Sequence, residues 1–527
     1  MIDCTDNKID NSSRFEQRNS NFMALDPMNL MKRNENYSVK LRKDQRKDFF
    51  QKKRLRLDDR TEETEDENEM PNFSLLNPKE KLLAIYSYWI TADTHEKIVY
   101  SLKSFRRTLK QFSKSTELLP ELREEYIDKL TSFIGTGYPD SLESEAVWTI
   151  SNLASMEKPI VDRLVSSNLI PILIESLQEF KPLSNENAIL AIGNICIDQN
   201  KYRDILVNVY HLHEILLDYL VKNWNSLPMA TLESLAWCSS NLIAYKTPVP
   251  YSIYEKIITI FKYLIKIENA PMQKYILEGL NTITDGDNKR IQLVINAGFL
   301  QKIISALASN NKSLSVSAIK TIGNISSGDD HHTQLLLDSN ILDVLASQGG
   351  SNILSIRKDV AYTLSNIAGG TKEQLGCLIH HPVCQRIMKL LVDKHFEVKR
   401  EASFIIRNIA NVATDNDILF LVEQNVFIYF RETLNEIDPK IIINLLEFVE
   451  RALDCGRTKA GSSDPQLNIS IGALHLANCI ERIENLYNHM NLKIRAIVEQ
   501  IIKKYFDLED NECNMEDSSM PEIFEFS

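Results

Sequence analysis

The chain is 527 residues long, 43% hydrophobic and 25% charged, with 60 Lys+Arg against 72 Asp+Glu and a formal net charge of −12. Length and apolar content suffice for a large core, only 16 Gly and 16 Pro argue against many strands and tight turns, and the negative balance argues against nucleic acid as a partner, so any basic function has to be local. The eight cysteines, at 4, 196, 238, 377, 384, 455, 479 and 513, form no Cys-x-x-Cys pair, and no run approaches about 18 apolar residues or reads as a signal peptide, so free thiols in a reducing compartment are expected, with neither membrane insertion nor secretion.

In chain order, residues 1–31 are polar with no sustained period and read as disordered in isolation. Residues 32–56 then hold eleven basic and three acidic side chains, with Val39, Leu41, Phe49, Phe50 and Leu55 as the few apolar ones. Ser38 can cap a helix running to about Lys53, a helix that like-charge repulsion leaves marginal until an acidic partner neutralises it. On its own such a run is compatible with a nucleic-acid arm or a simple localisation signal. Residues 58–69 reverse the sign, with eight carboxylates and one Arg in twelve residues, and read as a solvated linker reaching to residue 76. Helical patterning begins near Asn77 and Pro78. The stretch 79–112 reads as a poorly matched first repeat, with Leu102, Phe105 and Leu109 as its apolar positions.

Residues 145–152, Glu-Ala-Val-Trp-Thr-Ile-Ser-Asn, introduce the pattern that governs the rest. At about 100° per residue, Ala146, Ile150 and Leu153 share one helix stripe, while Trp148 and Asn152 fall on the opposite one. The register returns with Ala188, Ile192 and Ile195 opposite Leu190 and Asn194, and with Leu235, Ser239 and Leu242 opposite Trp237 and Asn241. It returns again with Ala318, Ile322 and Ile325 opposite Lys320 and Asn324, with Val360, Leu364 and Ile367 opposite Tyr362 and Asn366, and with Ala402, Ile406 and Ile409 opposite Phe404 and Asn408. Most intervals between these asparagines are 42 residues; one is 47, with its extra residues assigned to loops between Asn194 and Leu235, and the 83 between 241 and 324 contain a degenerate copy carrying Glu278 and Thr282. Gly298 and Pro171 fall near helix junctions, and the Pro-rich stretch 246–250 makes one longer break.

A period of about 40–47 residues with two or three helices per unit is the armadillo/HEAT signature. The fold predicted is therefore all-α, an armadillo-repeat right-handed superhelical solenoid over 77–506 with about ten repeats, preceded by a flexible basic segment at 1–57 and an acidic linker at 58–76, and followed by an acidic tail at 507–527. The stripe opposite the core is expected to face outward as a ladder. Asn side chains, each both donor and acceptor, suit the backbone of an extended peptide, and aromatic rings make slots for the stems of Lys or Arg. The ordinary alternative is that Trp148 and Trp237 are core residues, although the other stripe already supplies a full apolar face.

The order of these features resembles importin-α, the nuclear import adaptor. The resemblance runs through Val-Lys-Leu-Arg-Lys at 39–43, Lys52-Lys53-Arg54, the acidic linker and the Trp-x-x-x-Asn rungs. It continues through Ile-Cys-Ile-Asp at 195–198, Ile-Thr-Asp-Gly at 283–286 and Ile-Glu-Arg-Ile-Glu at 480–484, and covers nearly the whole chain. The resemblance implies an adaptor that binds Lys/Arg-rich nuclear localisation signals of cargo proteins, engages an importin-β carrier through its basic N-terminal segment, and shuttles between cytoplasm and nucleus. Lys52, Lys53 and Arg54 match the part that folds back to compete with cargo. The implied major site is Trp148, Asn152, Asn194, Asp198, Trp237 and Asn241. The implied minor site is Lys320, Asn324, Asp330, Asp359, Tyr362, Asn366, Glu401, Phe404 and Asn408, and the tail is placed near the surface used by an export receptor.

Departures stand beside the matches. Leu190 replaces a rung Trp, and Met156 and Val161 replace the Gly and Thr that help receive the key lysine. Asp359 and Glu401 lie three residues before Tyr362 and Phe404, where acid and ring stand side by side on a helix, so the later site is expected to contribute at least as much as the early one. No enzyme, cofactor or metal is expected: the pairs His331-His332 and His380-His381 lack a second cluster at ligand spacing, and no Gly-rich phosphate loop occurs. The alternative function is an armadillo scaffold for other peptides, such as acidic or amphipathic helices. Asp198, Asp330, Asp359 and Glu401, with Lys320 the exception, favour a basic ligand instead.

Overall fold

The computed structural model describes residues 73 and 76–506, apart from 113–114, 136, 245–246 and 463. The basic segment with Lys52, Lys53 and Arg54, the acidic run at 58–69 and the tail from 507 lie outside them. Every regular element among the described residues is helical. The described residues divide into two compact units, one up to residue 332 and the other from residue 333.

Each unit is built on a series of long helices, one per repeat. In the first they are α1 (His95–Leu109), α2 (Asp140–Ala154), α3 (Pro182–Asp198), α4 (Met229–Ile243), α5 (Ala270–Thr284) and α6 (Lys312–Ile325). In the second they are α7 (Leu354–Ala368), α8 (Phe396–Val412), α9 (Pro439–Ala460) and α10 (Leu492–Tyr505). Within each unit, each of these helices packs directly on the next. Two shorter helices precede most of them, as Lys158–Ser166 and Leu169–Ser176 precede α3. Sequence-local chemistry sets the boundaries. Asn77 and Glu80 form a reciprocal capping box at the first described helix, Thr94 caps α1, and Asn311 caps α6 through its side-chain oxygen.

The apolar stripe is as the register predicts. Ala146, Ile150, Leu153, Ala188, Ile192, Ile195, Leu235 and Leu242 are fully buried in the first unit, as are Val360, Leu364, Ile367, Ala402, Ile406 and Ile409 in the second. Leu102, Phe105 and Leu109 are buried in α1, so the first repeat is degenerate in sequence but ordinary in its core. The 47-residue interval departs from expectation: part of the excess is a longer helix, Leu212–Asn223, with 12 residues against 8 in Leu169–Ser176.

A second ladder escaped the sequence reading apart from Gly298. Asn168, His211, Gly298, Asn340, Asn425 and Asn478 all have positive φ, and each stands between the two short helices of its repeat. The turn there needs a left-handed residue, which Gly adopts freely and Asn more readily than most. The signal was present as a second recurrence of Asn and Gly.

Polar ties cross several boundaries within the units at about one period. Arg163 Nη1 donates to the carbonyl oxygens of Leu119, at 2.7 Å, and Leu122. Lys181 pairs with buried Glu143 at 2.7 Å, and Arg357 pairs with Asp393 at 2.6 Å. Arg386 Nε donates to the Ala346 carbonyl at 2.8 Å, satisfying a helix-end acceptor as a neighbouring cation can. Asn185, fully buried in α3, bonds both within its own repeat and across to the next. It donates to the Ser176 carbonyl at 2.8 Å and accepts from the Lys181 N–H at 2.7 Å and from Tyr219 Oη at 3.0 Å. Asn185→Ala strands all three partners without water and is expected to cost about 2–4 kcal/mol. A lowered midpoint with unchanged slope in urea unfolding, read by circular dichroism, checks it.

Candidate functional site

The stripe opposite the core is less open than the register predicts. Leu190, Trp237 and Tyr362 are buried, as are Asn152, Asn194, Asn241, Asn324 and Asn366; Trp148, Lys320, Phe404 and Asn408 are half-buried. Neighbouring repeats supply much of the cover. The Trp237 ring of α4 lies against Gly193 of α3, so closely that a Cβ there would stand 2.3 Å from the ring. Gly193 thus provides the floor on which the Trp237 rung rests.

Two kinds of rung asparagine stand out. Asn324 Nδ2 donates to the backbone and side-chain oxygens of Asn281, both at 3.1 Å, and Asn281 lies in the last turn of α5. Asn408 Nδ2 donates to the Ser365 carbonyl in the last turn of α7 at 2.7 Å. Both carbonyls also accept a local backbone N–H, from Asp285 at 3.0 Å and from Gly369 at 3.2 Å, and the amides add a bond from the next repeat. The reading of all rungs as outward groups for a ligand backbone is corrected here: Asn324 and Asn408 also join repeats. Asn152 is different, because it is fully buried and neither its amide nitrogen nor its oxygen makes a hydrogen bond. The Asn241 amide nitrogen is likewise buried without a partner, as is the Trp148 indole N–H. Buried polar atoms are nearly always satisfied, so these unbonded ones are exceptions.

Charge around the rungs is mixed in origin. Asp198 ends α3, half-buried, and accepts from Gln199 Nε2 at 3.2 Å. The same Gln199 amide donates to Asp162 at 2.7 Å, and Tyr202 Oη also donates to Asp162. Asp330 is exposed at the first turn of its helix, whereas Asp359 and Glu401 are buried beside Tyr362 and Phe404. Val161 is fully buried and Met156 half-buried. The sequence reading missed Arg106. Its guanidinium carbon lies 3.6 Å from the Trp148 ring centroid, and its Nη2 is 3.4 Å from Glu145 Oε2. Burial works against both charges, pulling the Arg106 pKa down and the Glu145 pKa up, while their mutual attraction opposes each shift.

The histidine pairs serve as ties between helices. His332 contacts Asp329 at 2.9 Å and Gln292 at 3.0 Å, His380 contacts Asp417 at 2.9 Å, and His381 contacts Asp343 at 3.3 Å. Burial lowers the His332 pKa. Among the described residues no three His, Cys, Asp or Glu side chains are grouped to hold a metal ion, and no single helix is long and apolar enough to cross a membrane.

No family model matches the chain. Among curated proteins it is similar to importin subunit alpha-3 of Arabidopsis thaliana, 25% identical over 58% of this chain and 57% of that protein. It is similar to importin subunit alpha-1b of Oryza sativa subsp. japonica, 26% identical over 73% of this chain and 70% of the relative. Importin subunit alpha-4 of Arabidopsis thaliana is 25% identical over 78% of this chain and 76% of the relative. The chain thus spans little more than half the length of the first relative and about three quarters of the last. Among solved structures it is similar to an engineered protein from the Northeast Structural Genomics Consortium, with a TM-score of 0.65, 19% identity, and 82% of this chain and 99% of that chain covered. The resemblance to importin-α is borne out by these relatives, and the all-α armadillo-repeat fold is that of the described residues.

The two kinds of asparagine separate in stability. Asn408→Ala removes an inter-repeat bond and is expected to cost about 1 kcal/mol, whereas Asn152→Ala removes no bond made in the unliganded chain and is expected to leave thermal stability unchanged or slightly raised. Paired thermal melts of the two variants read the difference directly.

Proposed function

We propose that the chain is a nuclear import adaptor whose rung stripe binds Lys/Arg-rich localisation signals of cargo proteins. The observation that carries the reading is Asn152, fully buried with both amide atoms unbonded, on the same helix stripe as Trp148. An extended peptide would offer its backbone N–H and C=O to that amide, while Lys or Arg stems lie along the rings and their heads meet Asp198, Asp330, Asp359 and Glu401. Asn194, Trp237 and Asn241 complete the early site in this reading, and Lys320, Asn324, Tyr362, Asn366, Phe404 and Asn408 belong to the later one. The similarity to importin alpha subunits supports the same assignment. The Asn324 and Asn408 nitrogens also bond to the preceding repeat, and the second hydrogen and the side-chain oxygen of Asn408 are left for a ligand in this reading.

The reading extends to the segments that flank the repeats. Residues 1–57 bind an importin-β-type carrier and, when it is absent, compete with cargo through Lys52, Lys53 and Arg54. Tethering holds that basic segment near the rungs at an effective concentration of about a millimolar. The acidic tail lies near the surface that an export receptor uses for recycling, and the protein shuttles between cytoplasm and nucleus as an adaptor rather than an enzyme.

Two measurements test this. Removing residues 1–57 is expected to strengthen binding of a Lys-rich peptide in a calorimetric titration and to abolish pull-down by the carrier; unchanged peptide affinity would refute the self-competition. Asn152→Ala is expected to weaken the same peptide by about 0.5–1.5 kcal/mol without a fall in melting temperature. A fall in stability with binding intact would make the residue structural and remove the main support for the site.

A further inference from the structure

We infer that residues 507–527 turn back along α10 and cover an exposed apolar edge of the last three repeats, so that the chain supplies its own cover for the end of the array. The inference is independent of the peptide-binding reading.

The edge is made by the turns that lead into α8, α9 and α10, which pack in series. Phe396 follows the N-cap His395 of α8, Ile437 precedes the N-cap Asp438 of α9, and Met490 and Leu492 flank the N-cap Asn491 of α10. All four are exposed, Ile437 at 93%, Met490 at 97% and Leu492 at 72%. The corresponding turn of α7 differs, because Ile353 and Leu354 are half-buried there. A single exposed apolar side chain needs no explanation, whereas a row of them at one place in successive repeats is a surface that another chain covers. The need is greatest at α10, which no further repeat follows among the described residues, since the end of a repeat array calls for a polar outer face.

Charge and reach select the occupant. In a chain of net charge −12, α9 and α10 together carry eight basic side chains against four acidic ones. Lys493 and Lys504 of α10 pair with Glu447 and Asp454 of α9 at 3.1 Å and 2.9 Å, so the two helices form one surface with a basic excess. Residues 507–517, which follow directly, hold six carboxylates and no basic side chain. The 14 residues of α10 rise about 21 Å, and residues 507–519 span up to about 43 Å when extended, so the segment returns to the Asn491 turn with length to spare. Residues 520–526, Met-Pro-Glu-Ile-Phe-Glu-Phe, then bring Met520, Ile523, Phe524 and Phe526 to the edge. Extended, they cover about 20 Å, which matches two helix spacings of about 8–10 Å from α10 to α8. Carboxylates along the basic helices and rings over Met490, Leu492 and Ile437 make one continuous contact, part electrostatic and part apolar.

The test uses methionine oxidation by dilute hydrogen peroxide on the full chain, followed by peptide mass spectrometry. Met490 is the reporter, and Met229, exposed in the first unit, is the internal reference. Tethering at about a millimolar against a contact of about 0.1–0.5 mM makes the docked state about two- to ten-fold more abundant than the undocked one. Phe524→Ser with Phe526→Ser is therefore expected to speed Met490 oxidation about three- to ten-fold and to leave Met229 unchanged. Ile437→Asp, at a site where the side chain touches little of its own repeat, is expected to speed Met490 oxidation in the same direction from the other side of the contact. Protection that stays constant on dilution of the protein supports the chain's own segment as the occupant. Protection that fades on dilution overturns the inference, because a second copy is then the cover. Equal Met490 rates in the unaltered and doubly substituted chains overturn it as well, whatever else lies on the edge.

Discussion

The structure depends on one constraint: no long helix in either unit can bury its apolar stripe alone. Ala146, Ile150 and Leu153 of α2 reach full burial because the helices of the preceding and following repeats lie against α2, and in the second unit α8 lies between α7 and α9 in the same way, with Ala402, Ile406 and Ile409 fully buried. Polar chemistry follows the same rule. Arg163 satisfies Leu119 and Leu122, Lys181 meets Glu143, Arg386 satisfies Ala346, and Arg357 meets Asp393, in each case about one period away. Core and ties are both interactions between nearest neighbours, so stability is a sum of local boundaries.

Helix ends are where this constraint meets function. Carbonyls in the last turn of a helix can take a further bond from outside it, and Asn408 supplies one to α7 as Asn324 does to α5. The residue type suited to gripping an extended chain is therefore also suited to joining repeats. Asn152 shows the other state, an amide buried on the same stripe with both atoms unbonded.

Dependence on the neighbouring repeat explains what could be read from the residues. The period, the apolar stripe and the position of each rung follow from spacing alone, because a 3.6-residue helix fixes which residues share a face. Burial of the rungs could not follow, since Trp237 is covered through Gly193 on another helix and Tyr362 lies opposite a core stripe it does not itself reveal. Arg106 was hidden for a similar reason. Nothing in the pattern of α1 marks that arginine as different from Arg107, and only the stacking of α1 on α2 brings it over Trp148. The left-handed Asn and Gly ladder was visible as a recurrence, but the stronger Trp-x-x-x-Asn pattern drew the reading away from it.

The bond from Asn408 to Ser365 has a mechanical side. It spans the boundary between α7 and α8, so its length depends on the angle between two repeats, while its amide belongs to the proposed ligand stripe. A small opening of that angle lengthens the bond and frees the amide; closing it locks the amide away. Local curvature and the number of available rungs are in that sense a single variable. A strand that takes hold at this boundary would bend the array, and whatever bends the array would alter its grip.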